Sequence, residues 1–504
     1  MKHDNNHTEI ELKLFILPQY QTAICHFFDQ LSASEYQGSH QLSNRYFDTP
    51  ALTLRQWDMG LRVRGCNAQY EQTIKTAGRV VGGLHSRPEY NVAIEATSPE
   101  LSLFPAEIWP DDTRLSDVQA QLKCFFHTDF QRQRWWVHQG QSLIEVALDQ
   151  GTIIAGDCSE PLCELEFELL SGVAGDLLPL AQQLAKQIPV RLGKASKAQR
   201  GYRLAAGKPV PAVAPLAIAL SATASPNGTL ATVLEALLER WQVVEDVLAQ
   251  QLVADIPPSQ SRAQTAVHLA LWQQMHGCVQ ALSDVLTHSG LAGGELREGF
   301  NWLGQHLACV PGLAGLGQLL SPQGLPDELP AADMQAAVQA ALGLAEHEPS
   351  IQHLQQLWQN PRYGTLQLQL VQLLMALQQG EPLLASYADG KAVSGAILAA
   401  SWQPLARAIT SPLDAPACLA LAAPLMQALF ISDVFSGIYP EKTQALFCRQ
   451  WQALGNGFAR LQAWTDAEKL LPAQAPVLAQ NRQHLLLALR QLCERAATLP
   501  PYWH

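Results

Sequence analysis

From residue 9 to residue 168, one short segment after another places its charged residues two or four apart. In an extended chain, residues i and i+2 share a face. TEIELKL therefore sets Glu9, Glu11 and Lys13 on one face and Ile10, Leu12 and Leu14 on the other. GLRVRG opposes Arg62 and Arg64 to Leu61 and Val63, and YEQTIKT groups Glu71, Thr73 and Lys75. SRPEYNV pairs Arg87 with Glu89, and DFQRQRWWV pairs Arg132 with Arg134. SLIEVALDQG aligns Glu145 with Asp149, and CELEFEL aligns Glu164, Glu166 and Glu168. Like charges side by side on a strand repel unless opposite charge sits between them. A single such strand is explained by a solvated face, but the whole series is better satisfied by an antiparallel sheet closed into a barrel with these faces inward. Carboxylates so placed suit a hard divalent cation, and guanidinium forks suit phosphate oxygens. Glu71, Arg134, Glu145 and Glu168 are read as ion-paired or solvated strand positions and set outside the candidate site.

No Walker loop, HExxH or GxSxG motif competes with this reading. The ten cysteines include no C-x-x-C pair, which argues against a zinc site or a small disulfide framework and fits a reducing cytoplasm. The first residues, MKHDNNHTEIELK, lack the basic-then-apolar order of a signal peptide. Cys418–Ile431 is apolar but short and contains Pro424 and Gln427, so a buried helix is expected there and not a membrane span. The expected location is cytoplasmic, with no membrane or nucleic-acid partner.

The composition changes near residue 205. Residues 1–210 hold 20 Lys and Arg against 24 Asp and Glu, whereas residues 211–504 hold 13 against 21. Between them lies a Pro- and Ser-containing stretch that reads as a linker over 207–228. Past it, Leu230, Val233, Leu234, Leu237, Leu238, Trp241, Val244 and Leu248 recur at helical spacing. A β domain over 1–206 and an all-α helical bundle over 229–504 are expected, an α+β multidomain chain.

The ordered set Glu9-x-Glu11-x-Lys13, the Asn44-x-Tyr46-Phe47-Asp48-Thr49 turn, Leu61-Arg62-x-Arg64 and the Lys75 strand resembles the CYTH superfamily of triphosphate tunnel metalloenzymes. Arg87-x-Glu89, Arg132, Asp149, Glu164-x-Glu166 and Ser196-Lys197-Ala198-x-Arg200-Gly201-Tyr202 continue the likeness. The helical remainder, ending in Pro501-Tyr502-Trp503-His504, resembles the CHAD domain that comes after the tunnel in two-domain bacterial inorganic triphosphatases. The resemblance implies an eight-stranded tunnel barrel that hydrolyses inorganic triphosphate with Mg²⁺ or Mn²⁺. Thiamine triphosphate hydrolysis on the same tunnel, and a non-catalytic polyphosphate-binding role, are the alternatives. Lys13, Arg62, Arg64, Lys75, Arg87, Arg132, Lys197 and Arg200 are the candidate phosphate contacts. Glu9, Glu11, Glu89, Asp149, Glu164 and Glu166 are the candidate metal ligands, with Glu9, Glu11 and Lys13 at the catalytic centre.

In the helical half, Val267-His268 is the nearest analogue of the CHAD His-then-Arg helix, but Leu271, Met275, His276 and Cys278 stand where arginines usually come next. His288, His306, His347, His353 and His484 are read as helix-surface or core residues. Packing, self-association or protein contact is the expected role of this half, and not strong anion binding.

Overall fold

The computed structural model describes residues 7–66, 69–81, 83–207, 213–253, 262–321, 324–345, 351–380, 384, 386–410 and 412–504. The chain forms two compact units: Met1–Pro211 with Trp358–Gln372, and Ala212–Leu357 with Leu373–His504. His347 and Pro209 and Pro211 of the linker lie outside the described residues.

The first unit is built on ten strands: β1 (His7–Ile16), β2 (Ser34–Asp48), β3 (Gly60–Cys66), β4 (Gln69–Lys75), β5 (Arg79–Val81), β6 (Leu84–Ile94), β7 (Lys123–Gln139), β8 (Ser142–Ala155), β9 (Cys158–Ser171) and β10 (Val190–Leu192). Their order is β10-β1-β9-β8-β7-β2-β3-β4-β6-β5, and β1 also pairs with β6. That last pairing closes eight antiparallel strands into a barrel, with β5 and β10 appended. β1 is shared lengthwise: His7–Leu12 pair with β6, Glu11–Phe15 with β9, and Leu14–Ile16 with β10.

The inverted alternation read from the sequence is what the barrel uses. The apolar faces point outward, so they need cover, and the connecting segments supply it. The helices of this unit are α1 (Gln21–Gln30), α2 (Thr53–Gln56), α3 (Leu115–Gln121), α4 (Leu177–Ala185) and α5 (Lys197–Ala205). Leu61, Val63 and Ile74 pack outside with Leu54 of α2 and with Leu101 and Phe104 of the β6–β7 connection. Phe28 of α1 lies against Trp135 and Phe167, at 5.4 and 6.2 Å between ring centres. Four leucines of α4 (Leu177, Leu178, Leu180 and Leu184) are buried.

The Asn44–Asp48 segment is strand and not turn. Asn44–Phe47 pair with β3 and Asn44–Asp48 with β7, so the turn begins only at Thr49. Asp48 ends the strand by accepting the N–H groups of Thr49, Leu54 and Arg55, which caps α2.

Among the described residues the second part of the chain is helical throughout: α6 (Pro226–Val253), α7 (Arg262–His288), α8 (Gly294–His306), α9 (Leu313–Leu319), α10 (Ala331–Ala345), α11 (Ile351–Trp358), α12 (Pro361–Gln378), α13 (Gly390–Ala408), α14 (Ala415–Val434), α15 (Glu441–Leu470) and α16 (Ala475–Ala497). All eight residues of the expected α6 stripe are buried. α14 is long and apolar enough to cross a membrane. Its Cys418, Leu425, Leu429, Ile431 and Val434 are buried in the helical unit. His268 accepts from Trp272 Nε1 at 3.2 Å, His306 Nδ1 meets the Trp302 carbonyl at 2.9 Å, and His353 Nε2 meets the His306 carbonyl at 2.6 Å.

Candidate active site

The inward faces enclose a cavity of about 1040 Å³ whose wall carries Glu9, Glu11, Lys13, Arg62, Arg64, Lys75, Arg87, Glu89, Arg132, Glu166 and Lys197. These come from seven different elements. Because each strand contributes every second residue, the barrel brings together groups up to 188 positions apart. Part of the interior is filled rather than open: Tyr202 of α5 packs with Tyr46, Phe126 and Phe130, so α5 presents its first residue, Lys197, to the cavity.

One wall is a knot of buried opposite charges. Lys13 Nζ donates to Glu164 Oε1 at 2.9 Å and also to Glu166. Lys197 Nζ reaches Asp149 at 2.7 Å and Glu166 at 3.0 Å, and bonds Glu164 as well. Arg132 holds Asp149 with two bonds and Glu166 with a third, of 2.6 Å. Asp149 and Glu164 are wholly buried. Burial resists ionisation of Glu166, yet Lys13, Lys197 and Arg132 together hold its carboxyl well below the usual range. Asp149 is likewise lowered against its burial, by Arg132 and Lys197.

The facing cluster is less balanced. Lys75 bonds Glu9 and lies 3.0 Å from Glu89, and Arg62 donates to Glu89 at 3.3 Å. Burial pushes the Glu9 carboxyl up to about 8, with Glu11 and Glu89 adding to the rise against Lys75. Glu11 falls below its ordinary value because Lys13 and Lys75 outweigh its burial and Glu166. Arg64 makes its hydrogen bond to the Asn44 side-chain carbonyl at 3.0 Å, and Asn44 is itself fixed by Thr128 at 3.0 Å. Burial, then Arg62 and Arg132 beside it, bring the Arg64 guanidinium down to about 10. Buried Nε atoms of Arg62 and Arg87 find no hydrogen-bond acceptor among the described residues. The cavity thus holds guanidinium groups whose donors are not fully used, an arrangement that an anion would complete.

Three expected site residues do not line the cavity. Asp149 and Glu164 sit behind Lys197 and Arg132, and Arg200 turns to Glu160 at 2.6 Å and to the Pro161 carbonyl at 2.5 Å. Conversely, Glu71, Arg134, Glu145 and Glu168, set aside on sequence, all line it. Burial, with Glu145 and Glu89 adding, pushes the Glu168 carboxyl up to about 7. Their in-phase position with Lys75, Arg132, Asp149 and Glu166 was the available signal. His85, which faces Glu11 across the β1–β6 pair, also lines the cavity and was not singled out.

The donor set fits a divalent cation. Carboxylate oxygens of Asp149, Glu164 and Glu166 lie within 4.8 Å of one another, and the buried Glu164 Oε2 accepts no hydrogen bond among the described residues, with Arg200 Nη1 standing off at 3.5 Å. Hard oxygen ligands of this kind match Mg²⁺ or Mn²⁺ better than soft metals.

Residues 7–202 match the CYTH domain. Over 201 residues the chain is 42% identical to the inorganic triphosphatase of Haemophilus influenzae, covering 39% of this chain and 54% of that protein. The chain therefore spans about half the length of that relative. A solved Hippeastrum protein, described as having a dominant triphosphatase activity, is similar at 20% identity and a TM-score of 0.31 over 40% of this chain and 98% of its own. The CHAD domain of Ricinus communis is similar at 18% identity and a TM-score of 0.38, over 56% of this chain and 96% of that one. With the family match covering the whole barrel, residues 7–202 of this chain are a CYTH domain.

Proposed function

We propose that the chain hydrolyses inorganic triphosphate to pyrophosphate and phosphate in this cavity. The observation that carries the reading is the pairing, inside one closed barrel, of incompletely satisfied guanidinium groups with a full set of acidic residues. Arg62, Arg64, Arg87 and Lys75 would bind the phosphate oxygens, and Lys13, Arg132 and Lys197 would add charge along the opposite wall. Phosphoryl transfer is governed by positioning and charge stabilisation. A water attacks the terminal phosphorus, the bridging P–O bond breaks, and pyrophosphate leaves with the electron pair. A carboxylate of the Glu9–Glu11 pair accepts the proton of the water. Glu9, Glu11, Glu89 and the Asp149–Glu164–Glu166 cluster would hold Mg²⁺ or Mn²⁺, which supplies charge neutralisation and lowers the pKa of bound water.

Anion binding alone would need the arginines but not the acidic set, which favours hydrolysis over a purely binding role. The discriminating experiment measures phosphate release from tripolyphosphate, thiamine triphosphate, ATP and pyrophosphate, each with Mg²⁺, Mn²⁺ or EDTA. Metal-dependent release fastest from tripolyphosphate is expected. Binding without release from any of the four would overturn the hydrolase reading.

A further inference from the structure

β10 is an edge strand, paired with β1 on one side. On it lies a segment of the first unit that comes from far along the chain, Trp358–Gln372. Each residue of β10 has a partner there. Gln367, fully buried, accepts the Leu192 N–H with its side-chain carbonyl at 2.9 Å. A Cβ at Gly364 would fall 2.1 Å from the Val190 carbonyl oxygen, so glycine alone permits this approach. The Arg191 guanidinium lies between two rings, 4.3 Å from Trp358 and 4.7 Å from Phe15.

The residues just after β10 reach the cavity directly. Gly193 donates its N–H to the Lys13 carbonyl at 2.9 Å, and a Cβ on Gly193 would stand 2.9 Å from Lys13 Cγ. Leu192 is paired with Leu14, next to Lys13. Four residues after Gly193 comes Lys197, whose ammonium shares Glu164 and Glu166 with that of Lys13. A displacement of β10 would therefore move both ammonium groups against the carboxylates they share.

We infer that Gln367 and Gly364 are positioning residues of the cavity: by pinning β10 from outside the barrel they set where Lys13 and Lys197 stand. Their effect on turnover rests on the hydrolase reading above, whereas the pinning itself does not. The test uses the full chain as Gln367→Met, which keeps the side-chain length without an acceptor, and Gln367→Glu, which restores an acceptor oxygen. Hydrogen exchange is measured over residues 188–200, with 123–155 as the internal reference, beside kcat and KM for tripolyphosphate. In Gln367→Met, exchange over 190–197 should quicken about tenfold and kcat fall about tenfold, the factor expected for one buried hydrogen bond, with the reference strands unchanged. Gln367→Glu should recover most of both, and Gly364→Ala should reproduce the Gln367→Met pattern. Unchanged exchange over 190–197, equal impairment of the Met and Glu variants, or acceleration spread evenly over the reference strands would each overturn the inference. A parent protein with no hydrolytic activity would sink the hydrolase reading instead, and the exchange measurement would still decide the pinning.

Discussion

Arg132 grips Asp149 with both arms of its guanidinium, Nε to Oδ1 and Nη2 to Oδ2, each at 2.7 Å, and the carboxylate it holds is wholly buried. Removing one partner of a buried pair strands the other charge, which costs about 3–5 kcal/mol. Because Lys197 still stands 2.7 Å from Asp149, Arg132→Ala should lower the unfolding free energy of the barrel by the lower end of that range, about 3 kcal/mol. Arg132→Met combined with Asp149→Asn should recover a large part of it. Urea unfolding monitored by tryptophan fluorescence decides the matter, and equal stability of Arg132→Ala and parent would show that Lys197 alone compensates Asp149.

Arg64 offers a different balance. It has an amide and not a carboxylate for its hydrogen bond, with Arg62 and Arg132 close by. Arg64→Ala should leave stability nearly unchanged while turnover of tripolyphosphate falls on the order of 10²–10³-fold, the scale for a lost charge-stabilising donor. Arg62→Ala should lose activity and stability together, because Glu89 gives up one of its two cations. Turnover within twofold of the parent in both variants would place these arginines outside the reaction.

Glu11 tests the metal assignment. Glu11→Gln preserves shape but replaces a hard anionic ligand by a neutral amide. The expected outcome is a folded barrel with almost no turnover and weaker Mn²⁺ binding by calorimetry. Full activity and parental Mn²⁺ affinity would remove Glu11 from the ligand set.

The thiols should divide by burial. Burial pushes the Cys278 thiol up to about 12 and the Cys448 thiol up to about 11, leaving scarcely any thiolate at pH 8. Cys158 is exposed. A disulfide exchange reagent at pH 8 should modify Cys158 quickly and reach Cys278 and Cys448 only in denaturant, as peptide mapping would show. Native-state labelling of Cys278 as fast as Cys158 would mean the helical unit opens readily.

The residues that face the cavity were readable because a strand's period of two leaves no freedom: once Arg62 points inward, so does Arg64. The same rule covers Glu71, Arg134, Glu145 and Glu168, which were set aside only because each has an ordinary explanation taken singly. Depth was not readable. Asp149 and Glu164 share the inward phase, yet the α5 lysine stands in front of them, and that arises from how α5 packs on Tyr46 and Phe126. Arg200 lies three residues past Lys197 on the same helix but is taken by Glu160. Gln367 gives no signal at all in its own segment, since its role exists only through a strand about 175 residues earlier.

The sharing of β1 among three strands carries a consequence for how the molecule is made. The strand leaves the ribosome ahead of all its partners, and two of these, β9 and β10, end only at Ser171 and Leu192. Leu12 and Leu14, both fully buried in the finished barrel, have no cover from those strands until the chain has been synthesised as far as Leu192. Closure is thus a late event with large sequence separation, of the kind that slows folding and leaves apolar surface open to wrong partners in the meantime. A nascent chain of this design depends on being kept apart from its neighbours until the last stave arrives.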